Sequence, residues 1–161
     1  SLGASFCLSK EPVRLSANMM TTGEIPMVTG FEEVDPDLYV KEGGIRKPDT
    51  VADDLGLVMD TEFGLVVILG CAHRGIVNTL RHAQQLTGKE LVYAVIGGTH
   101  LLDASEERLT KTVGALREAG VQRLGVSHCT GFTASAYLAR EFGDGFFLNN
   151  AGSRFTLPFE D

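Results

Sequence analysis

The chain has 161 residues, of which 43% are hydrophobic and 22% are charged, and its formal net charge is −7 at pH 7. This length is typical of a single globular domain, and the acidic balance argues against nucleic-acid binding, which needs a basic surface. No apolar run approaches the roughly 18 residues of a membrane span, and the amino terminus does not have the pattern of a secretory signal.

The first 50 residues show no strong periodicity. Residues 21–50, TTGEIPMVTGFEEVDPDLYVKEGGIRKPDT, are rich in glycine, proline, threonine and acids. Such a stretch is typical of a functional loop or of a segment that covers another part of the protein. We therefore predict an irregular amino-terminal segment with short strands over residues 1–50, joined in one structural domain to a mixed-sheet α/β unit over residues 51–161.

A β-hairpin is predicted where the pattern becomes regular. The apolar arms LGLVMD and LVVIL flank TEFG, with Gly64 at a turn position. The second arm is continuously apolar, as expected of a strand that is covered on both faces. An antiparallel hairpin at this point predicts a mixed sheet, because the segments that follow are spaced for parallel strands.

Three helices alternate with strands after the hairpin. Apolar residues recur at helical spacing in RGIVNTLRHAQQLTG, ASEERLTKTVGALREAG and TASAYLAREFG. The strands between and after them are predicted in LVYAVIGG, VQRLGVS and DGFFLNNAGSRFTLP. Gly88 and Gly120 stand where helices end, and Asp103 and Glu106 have the spacing of a capping box. This order predicts an α/β fold with helices layered on a sheet.

Three of the four histidines directly follow predicted strands. His73 ends LVVILGCAH, His100 ends YAVIGGTH, and His128 follows RLGVS. Ligands of open α/β sheets bind at this edge, and neighbouring strands are about 4.8 Å apart, so we expect the three side chains to converge. Neutral imidazoles with a nearby carboxylate or thiolate suit zinc or iron. His82 lies in the middle of a helix and is not a site candidate.

Two cysteines lie beside the loop histidines. The thiol of Cys71 or Cys129 could be a soft metal ligand or a nucleophile, or both residues could simply fill tight corners between strand and helix. With Cys7, the chain has three cysteines, too few and too scattered for a disulfide framework. This usage predicts reduced thiols and a cytoplasmic location.

Two glycine-containing turns, Gly97-Gly98-Thr99 and Thr130-Gly131, are predicted to open helices with free backbone N–H groups. Such groups favour anions, so a phosphorylated substrate is a candidate, and Thr130 joins the two cysteines as a residue expected to line the pocket. The acids around the hairpin, Asp53, Asp54 and Asp60, are expected to be solvated.

Several segments, in this order, resemble the carboxy-terminal half of metallo-β-lactamase-fold proteins. They are TTGEIP, DDLGLVMDTEFGLVVILGCAHRGIVNTL, YAVIGGTHLLDASEERLTKTVGAL and SHCTGFTA. The branch that they resemble contains the dihydropterin ribofuranosylaminobenzene phosphate synthases. The resemblance covers the chain from about Thr21 onward, and the ordered set GCAH, GGTH and HCTG is its most specific part.

The resemblance implies half of an αββα sandwich with a metal site at one edge. It implies that His73 and His128 occupy metal-ligand positions for zinc or iron, and that His100 lines the same pocket. The implied function is metal-dependent hydrolysis or a synthase reaction on a small metabolite that is a candidate for phosphorylation. In the synthase branch, a pterin precursor condenses with a phosphoribosyl aromatic amine.

The superfamily motif His-x-His-x-Asp-His is absent from this sequence. The chain is therefore expected to be a fragment, a subunit completed by a partner, or a non-catalytic binding or assembly module that keeps the fold. A different mechanism would use Cys71 as a nucleophile with His128 or His73 as its base. Half a sandwich would expose an apolar sheet face, which predicts a homo-oligomer that covers it.

Overall fold

The structure, a computed structural model, describes residues 3–159. Among these residues a six-stranded sheet and a two-stranded hairpin accompany three α-helices. The elements in chain order are β1 (Met19–Thr21), β2 (Tyr39–Glu42), β3 (Ile45–Pro48), β4 (Gly56–Thr61), β5 (Gly64–Leu69), α1 (Ile76–Thr87), β6 (Val92–Gly98), α2 (Glu106–Glu118), β7 (Arg123–Ser127), α3 (Phe132–Phe142) and β8 (Phe146–Leu148).

The main sheet is mixed, as predicted. Its strand order is β1-β4-β5-β6-β7-β8, with antiparallel pairing from β1 to β5 and parallel pairing from β5 to β8. The predicted hairpin is present, because Thr61 pairs with Gly64 at the closed end of β4 and β5. The fold therefore brings the carboxyl ends of β5, β6 and β7 to one edge.

All three helices pack against the same face of the sheet. Alternate residues of the strands point to this face, and they include Val58, Leu65 and Val67, each at most 1% exposed. The helices contribute the buried stripes that the sequence predicts, such as Leu80 of α1 and Leu116 of α2. Each such side chain stabilises the fold by about 2 kcal/mol through the apolar area that it buries.

The opposite side of the sheet carries a smaller cluster, which we call the aromatic face. Its buried centre is Val66, Tyr93 and Ala94, surrounded by the partly buried Met59, Phe63, Ile68, Ile96 and Phe159. Phe147 also lies on this side above Gly125, where a Cβ atom would come within 2.2 Å of the Phe147 ring. The chain end folds back here, since the Phe159 N–H donates to the Tyr93 hydroxyl at 3.2 Å.

The amino-terminal segment contributes directly to the main sheet. Strand β1 pairs with β4, placing Met20 opposite Val58, while β2 and β3 form a separate and exposed hairpin. The predicted ranges 1–50 and 51–161 include residues 1, 2, 160 and 161, which lie outside the described residues. No helix of residues 3–159 is long and apolar enough to cross a membrane.

The helix ends confirm one sequence prediction and correct another. Gly88 ends α1 in the left-handed conformation with φ 68°, as predicted. The predicted capping box is wrong, because α2 begins at Glu106 and the Ser105 hydroxyl accepts the N–H of Arg108 instead. Asp103 lies two residues before this cap, in a turn.

Candidate functional site

Three loops meet at the carboxyl edge of the parallel strands. Each of them carries one of the histidines singled out in the sequence, and the contacts of these histidines fall into two groups. The rings of His73 and His100 are in contact, with centroids 4.2 Å apart and planes tilted by 50°. His128 is exposed and lies instead with the two cysteines.

The His73–His100 pair has unused coordinating capacity. The Nδ1 atoms of both rings are buried and have no hydrogen-bond partner. Buried polar atoms are nearly always paired in folded proteins, so an orphaned ring nitrogen indicates an absent ligand, ion or water. Burial and the neighbouring His73 lower the pKa of His100, which keeps this imidazole neutral and able to coordinate a cation.

The second group consists of Cys71, His128 and Cys129. One ligand atom from each residue lies within 4.8 Å of the other two. The two cysteines are free and half-buried, and the Cys129 thiol is 3.5 Å from the backbone carbonyl oxygen of Cys71. The backbone N–H of His100 donates to the Cys129 sulfur at 3.3 Å, which links the two groups.

Burial raises the pKa of the Cys71 thiol, and the neighbouring Cys129 raises it further. A reactive cysteine nucleophile needs the opposite shift, because the thiolate is the attacking species. This environment therefore does not favour the mechanism in which Cys71 attacks the substrate with a histidine as its base.

The backbone around these groups adopts conformations that side-chain-bearing residues rarely take. Ala72, His100 and His128 have φ of 54°, 48° and 53°, and Val51 is the other non-glycine residue with positive φ in residues 3–159. Each such residue costs of order 1–3 kcal/mol, and they concentrate at functional sites. Three of the four lie in the histidine loops.

The loop that carries His73 is held firmly by Arg74. The backbone N–H of Arg74 donates to Asp54 Oδ2 at 2.8 Å, and its guanidinium donates to the carbonyls of Thr50 and Ile25 at 2.8 and 2.6 Å. A salt bridge of 3.1 Å joins it to Glu24. The expectation that Asp54 is solvated is wrong, because this carboxylate is buried to bind the loop backbone.

A second buried carboxylate fixes the start of α1. Glu32 is 2% exposed and accepts the N–H groups of Val77 and Asn78 at 2.9 and 2.7 Å. The Asn78 side chain in turn accepts the N–H groups of Val28 and Thr29. Neither Glu32 nor Asn78 was recognisable in the sequence, because single polar residues outside a motif give no signal of burial.

Thr130 connects the second and third loops. It is fully buried, and its hydroxyl accepts from Thr99 at 2.9 Å and donates to the Ser127 carbonyl at 2.9 Å. The Gly97-Gly98-Thr99 turn does not open a helix, because α2 begins only at Glu106. The Gly98 N–H already donates to Gly70, so this turn is not the free anion site expected from the sequence.

A cleft of about 450 Å³ opens beside His100. Its lining residues are Glu33, Val34, Asp35, Pro36, Asp37, His100, Leu102, Asp103, Ala104, Arg108 and Cys129. The Nε and Nη2 atoms of Arg108 are buried without hydrogen-bond partners. The cleft therefore combines a guanidinium that has two unpaired nitrogens with several carboxylates, a feature that no sequence motif indicated.

His82 lies away from this site. Its ring is half-buried on α1, and Nε2 is 2.9 Å from the carbonyl oxygen of Thr22. The sequence-based exclusion of this histidine thus agrees with its position, and its hydrogen bond gives it a structural contact.

No protein-family model matches the chain. The chain is 40% identical over 154 residues to the 7,8-dihydropterin-6-methyl-4-(β-D-ribofuranosyl)-aminobenzene-5′-phosphate synthase of Methanocaldococcus jannaschii, covering 94% of this chain and 52% of that enzyme. It is 28% identical over 137 residues to an uncharacterised protein of the same organism, covering 85% of this chain and 50% of the relative.

Among solved structures, the chain is similar to Tm1679, a metal-dependent hydrolase of the β-lactamase superfamily. The TM-score is 0.78 at 32% identity, over 92% of this chain and 57% of that one. The chain shares its fold with this hydrolase. The predicted α/β class with a mixed sheet is therefore confirmed, and the chain spans about half the length of the curated relatives that it matches.

Proposed function

We propose that this chain forms part of the metal-dependent site of an enzyme that acts on a small phosphorylated metabolite, by hydrolysis or by a synthase reaction. The observation that carries the proposal is that the loops of His73, His100 and His128 meet at the carboxyl edge of the sheet, where the Nδ1 atoms of His73 and His100 are buried without partners beside a cleft. The named activities of the similar synthase and hydrolase support this choice.

The proposed metal ligands are His73 and His128, with zinc or iron as the metal. The donors present at this edge are imidazoles and thiols, which suit these metals. A cation held there would supply Lewis-acid chemistry and lower the pKa of a bound water. Around it, His100 would contact the substrate or its water, and the Arg74 contacts would hold His73 in position.

The proposed substrate has an anionic group and hydrogen-bond donors. The unpaired guanidinium nitrogens of Arg108 would receive a phosphate, because such charge-assisted pairs are strong and directional. The carboxylates of Asp35 and Asp37 in the same cleft would accept from amino groups.

Metal content tests the proposal. Purified protein loaded with zinc or ferrous iron should retain metal after desalting, and His73→Ala and His128→Ala should each lose most of it. His82→Gln is the matched control, since it removes a histidine outside the site. Equal metal in all variants would contradict the assignment, and protein that takes up no metal would favour a non-catalytic binding or assembly module.

Substrate binding is tested separately at Arg108. Inorganic phosphate and ribose 5-phosphate should bind the metal-loaded protein, and Arg108→Ala should weaken binding by about 10- to 100-fold, the loss of one charged hydrogen-bonding group. Arg81→Ala, an exposed arginine on α1, is the control. Unchanged affinity in Arg108→Ala would exclude this residue as the phosphate contact.

We further propose that the aromatic face pairs with a second copy of the chain. Phe155 adjoins this face, because its ring lies 4.6 Å from that of Phe147, and it is 40% exposed. Sedimentation should reveal an oligomer that Phe155→Glu dissociates and Phe6→Glu does not, since Phe6 is 93% exposed outside this face. A monomer at all concentrations would refute the pairing.

Reduced cysteines would accord with the proposed cytoplasmic location.

A further inference from the structure

The cluster of Cys71, His128 and Cys129 has the dimensions of a metal site in its own right. Its three ligand atoms lie within 4.8 Å of one another, and no other such group of three occurs in residues 3–159. Zinc bonds to sulfur and nitrogen are about 2.3 and 2.0 Å long. The ligand atoms would need to approach one another by at most roughly 1.3 Å to share one tetrahedral ion.

The surroundings of Cys129 suit a coordinating sulfur. The His100 N–H donates to its Sγ atom at 3.3 Å, and such outer hydrogen bonds orient metal ligands and tune their affinity. Gly98 leaves room beside it, because a Cβ atom at that position would lie 2.8 Å from Cys129 Sγ and 3.2 Å from Cys71 Cα. A methyl group here would enter the space that the cluster occupies.

The backbone is strained where it presents these ligands. Ala72, next to Cys71, and His128, next to Cys129, both have positive φ. Neither cysteine fills a closed apolar corner, since both are half-buried, and His128 is exposed. These backbone conformations place three donors together at an accessible position without adding a packed side chain to the core.

We infer that this chain holds a thiophilic divalent cation such as Zn²⁺ through the sulfurs of Cys71 and Cys129 and a ring nitrogen of His128, with a fourth position open to solvent. Binding replaces the two thiol protons, which leave to solvent, so that the charge of the ion is balanced by two thiolates. The His73–His100 pair lies outside this ligand set. The inference deepens the proposed function, because His128 belongs to both ligand sets.

Cobalt substitution of the full chain tests the inference spectroscopically. Reduced protein titrated with Co²⁺ should show a thiolate-to-cobalt charge-transfer band in the near ultraviolet. Cys71→Ser and Cys129→Ser should each remove about half of its intensity and weaken Zn²⁺ binding by more than the 10- to 100-fold typical of lost outer-shell partners. Cys7→Ser should leave both unchanged. A folded protein that binds no Co²⁺, or a band insensitive to Cys71 and Cys129, would overturn the inference.

Alkylation of the wild-type chain gives the same answer without variants that could misfold. Zn²⁺ should protect Cys71 and Cys129 from iodoacetamide while Cys7, which is exposed, reacts at an unchanged rate. Mass spectrometry of the peptides reports each cysteine separately. Equal labelling of all three with and without Zn²⁺ would exclude thiolate coordination.

The variant His73→Ala distinguishes a failure of this thiolate site from a failure of the proposed function. Cobalt that binds without the thiolate band and is lost in His73→Ala would overturn the thiolate site and leave the proposed function in place. A thiolate band that His73→Ala retains, with unchanged metal content, would support the thiolate site and remove His73 from the proposed ligands.

Discussion

The loops that follow β5 and β7 each carry one of the candidate histidines. Many contacts hold the first loop in place, and few hold the second. The β5–α1 loop is braced by residues from the amino-terminal segment and by Asp54, which bind Arg74 and the first turn of α1. The β7–α3 loop has no side-chain cap on its helix, and His128 within it is exposed. The buried hydroxyl of Thr130 anchors this loop.

This difference predicts that His73 and His128 have different roles in the proposed site. A ligand on a braced loop is held in a fixed geometry, as precise coordination requires. A ligand on a loop with few contacts can adjust to a cation or a substrate at low cost. His73 would accordingly set the position of the site, and His128 would adapt to it.

Removing the brace should have the largest effect on stability. Arg74→Ala leaves the carbonyl of Thr50 and the buried carbonyl of Ile25 without this donor and breaks the ion pair with Glu24. We therefore expect the free energy of unfolding to fall by about 3 kcal/mol. Urea denaturation measures the change. Arg81→Ala, on the exposed side of α1, should alter stability by less than about 0.5 kcal/mol, and an equal loss in both variants would argue against the brace.

Glu32→Gln should have the next largest effect, with a characteristic pH dependence. At neutral pH the variant should lose about 1–3 kcal/mol, because the amide accepts only one of the two N–H groups that the carboxylate binds. Burial raises the pKa of Glu32 above its ordinary 4.5, while the hydrogen bonds from Val77 and Asn78 oppose the shift.

The sign of this pH dependence follows from proton binding. The folded state holds the Glu32 proton more tightly than the unfolded chain, so the associated stability is full below pH 4.5 and is lost as pH rises through the folded pKa. Glu32→Gln removes this component. Urea denaturation from about pH 4 to about pH 7 should give a smaller decline for the variant than for wild type, and identical slopes would refute the assignment.

The anchor of the less constrained loop should contribute less. Thr130→Val removes the hydroxyl that joins Thr99 to Ser127, and we expect a loss of about 1–2 kcal/mol, the usual cost of unpaired buried groups. Thr130→Ser keeps the hydroxyl and should restore most of the hydrogen-bond energy. If Thr130→Ser is as unstable as Thr130→Val, the methyl packing rather than the hydrogen bonds holds the loop.

His128→Ala should change stability least. The ring is exposed, and no hydrogen bond of its side chain is found in the described part of the chain, so the expected change in unfolding free energy is within about 0.5 kcal/mol. Metal affinity should fall strongly in the same variant. A large loss of stability without metal would show that this loop is braced after all.

The sequence predicted the elements whose determinants are local. The hairpin around Gly64 and the end of α1 at Gly88 follow from turn chemistry and apolar spacing within a few residues. The convergence of the three loops followed from the order of the strands. The pairing of His73 with His100, and of His128 with the cysteines, could not be predicted, because it depends on positive backbone φ angles and on the register of parallel strands.

The residues that hold the site in place could not be recognised in the sequence either. Asp54 and Glu32 resemble surface acids in the sequence, and only the folded chain shows that they are buried against backbone N–H groups. The misplaced cap at Asp103 has a similar cause, since two overlapping capping patterns lie within three residues. Choosing between them requires the tertiary position of the helix.

The contacts that brace the β5–α1 loop also determine when the site forms during folding. The contact from Arg74 to Ile25 spans 49 residues, and the contact from Val77 to Glu32 spans 45. Contacts of such sequence separation form slowly, because the intervening chain must be ordered first. The geometry around His73 should therefore mature only when the amino-terminal segment has docked, so that removing this segment would leave a sheet and helices with an unformed site.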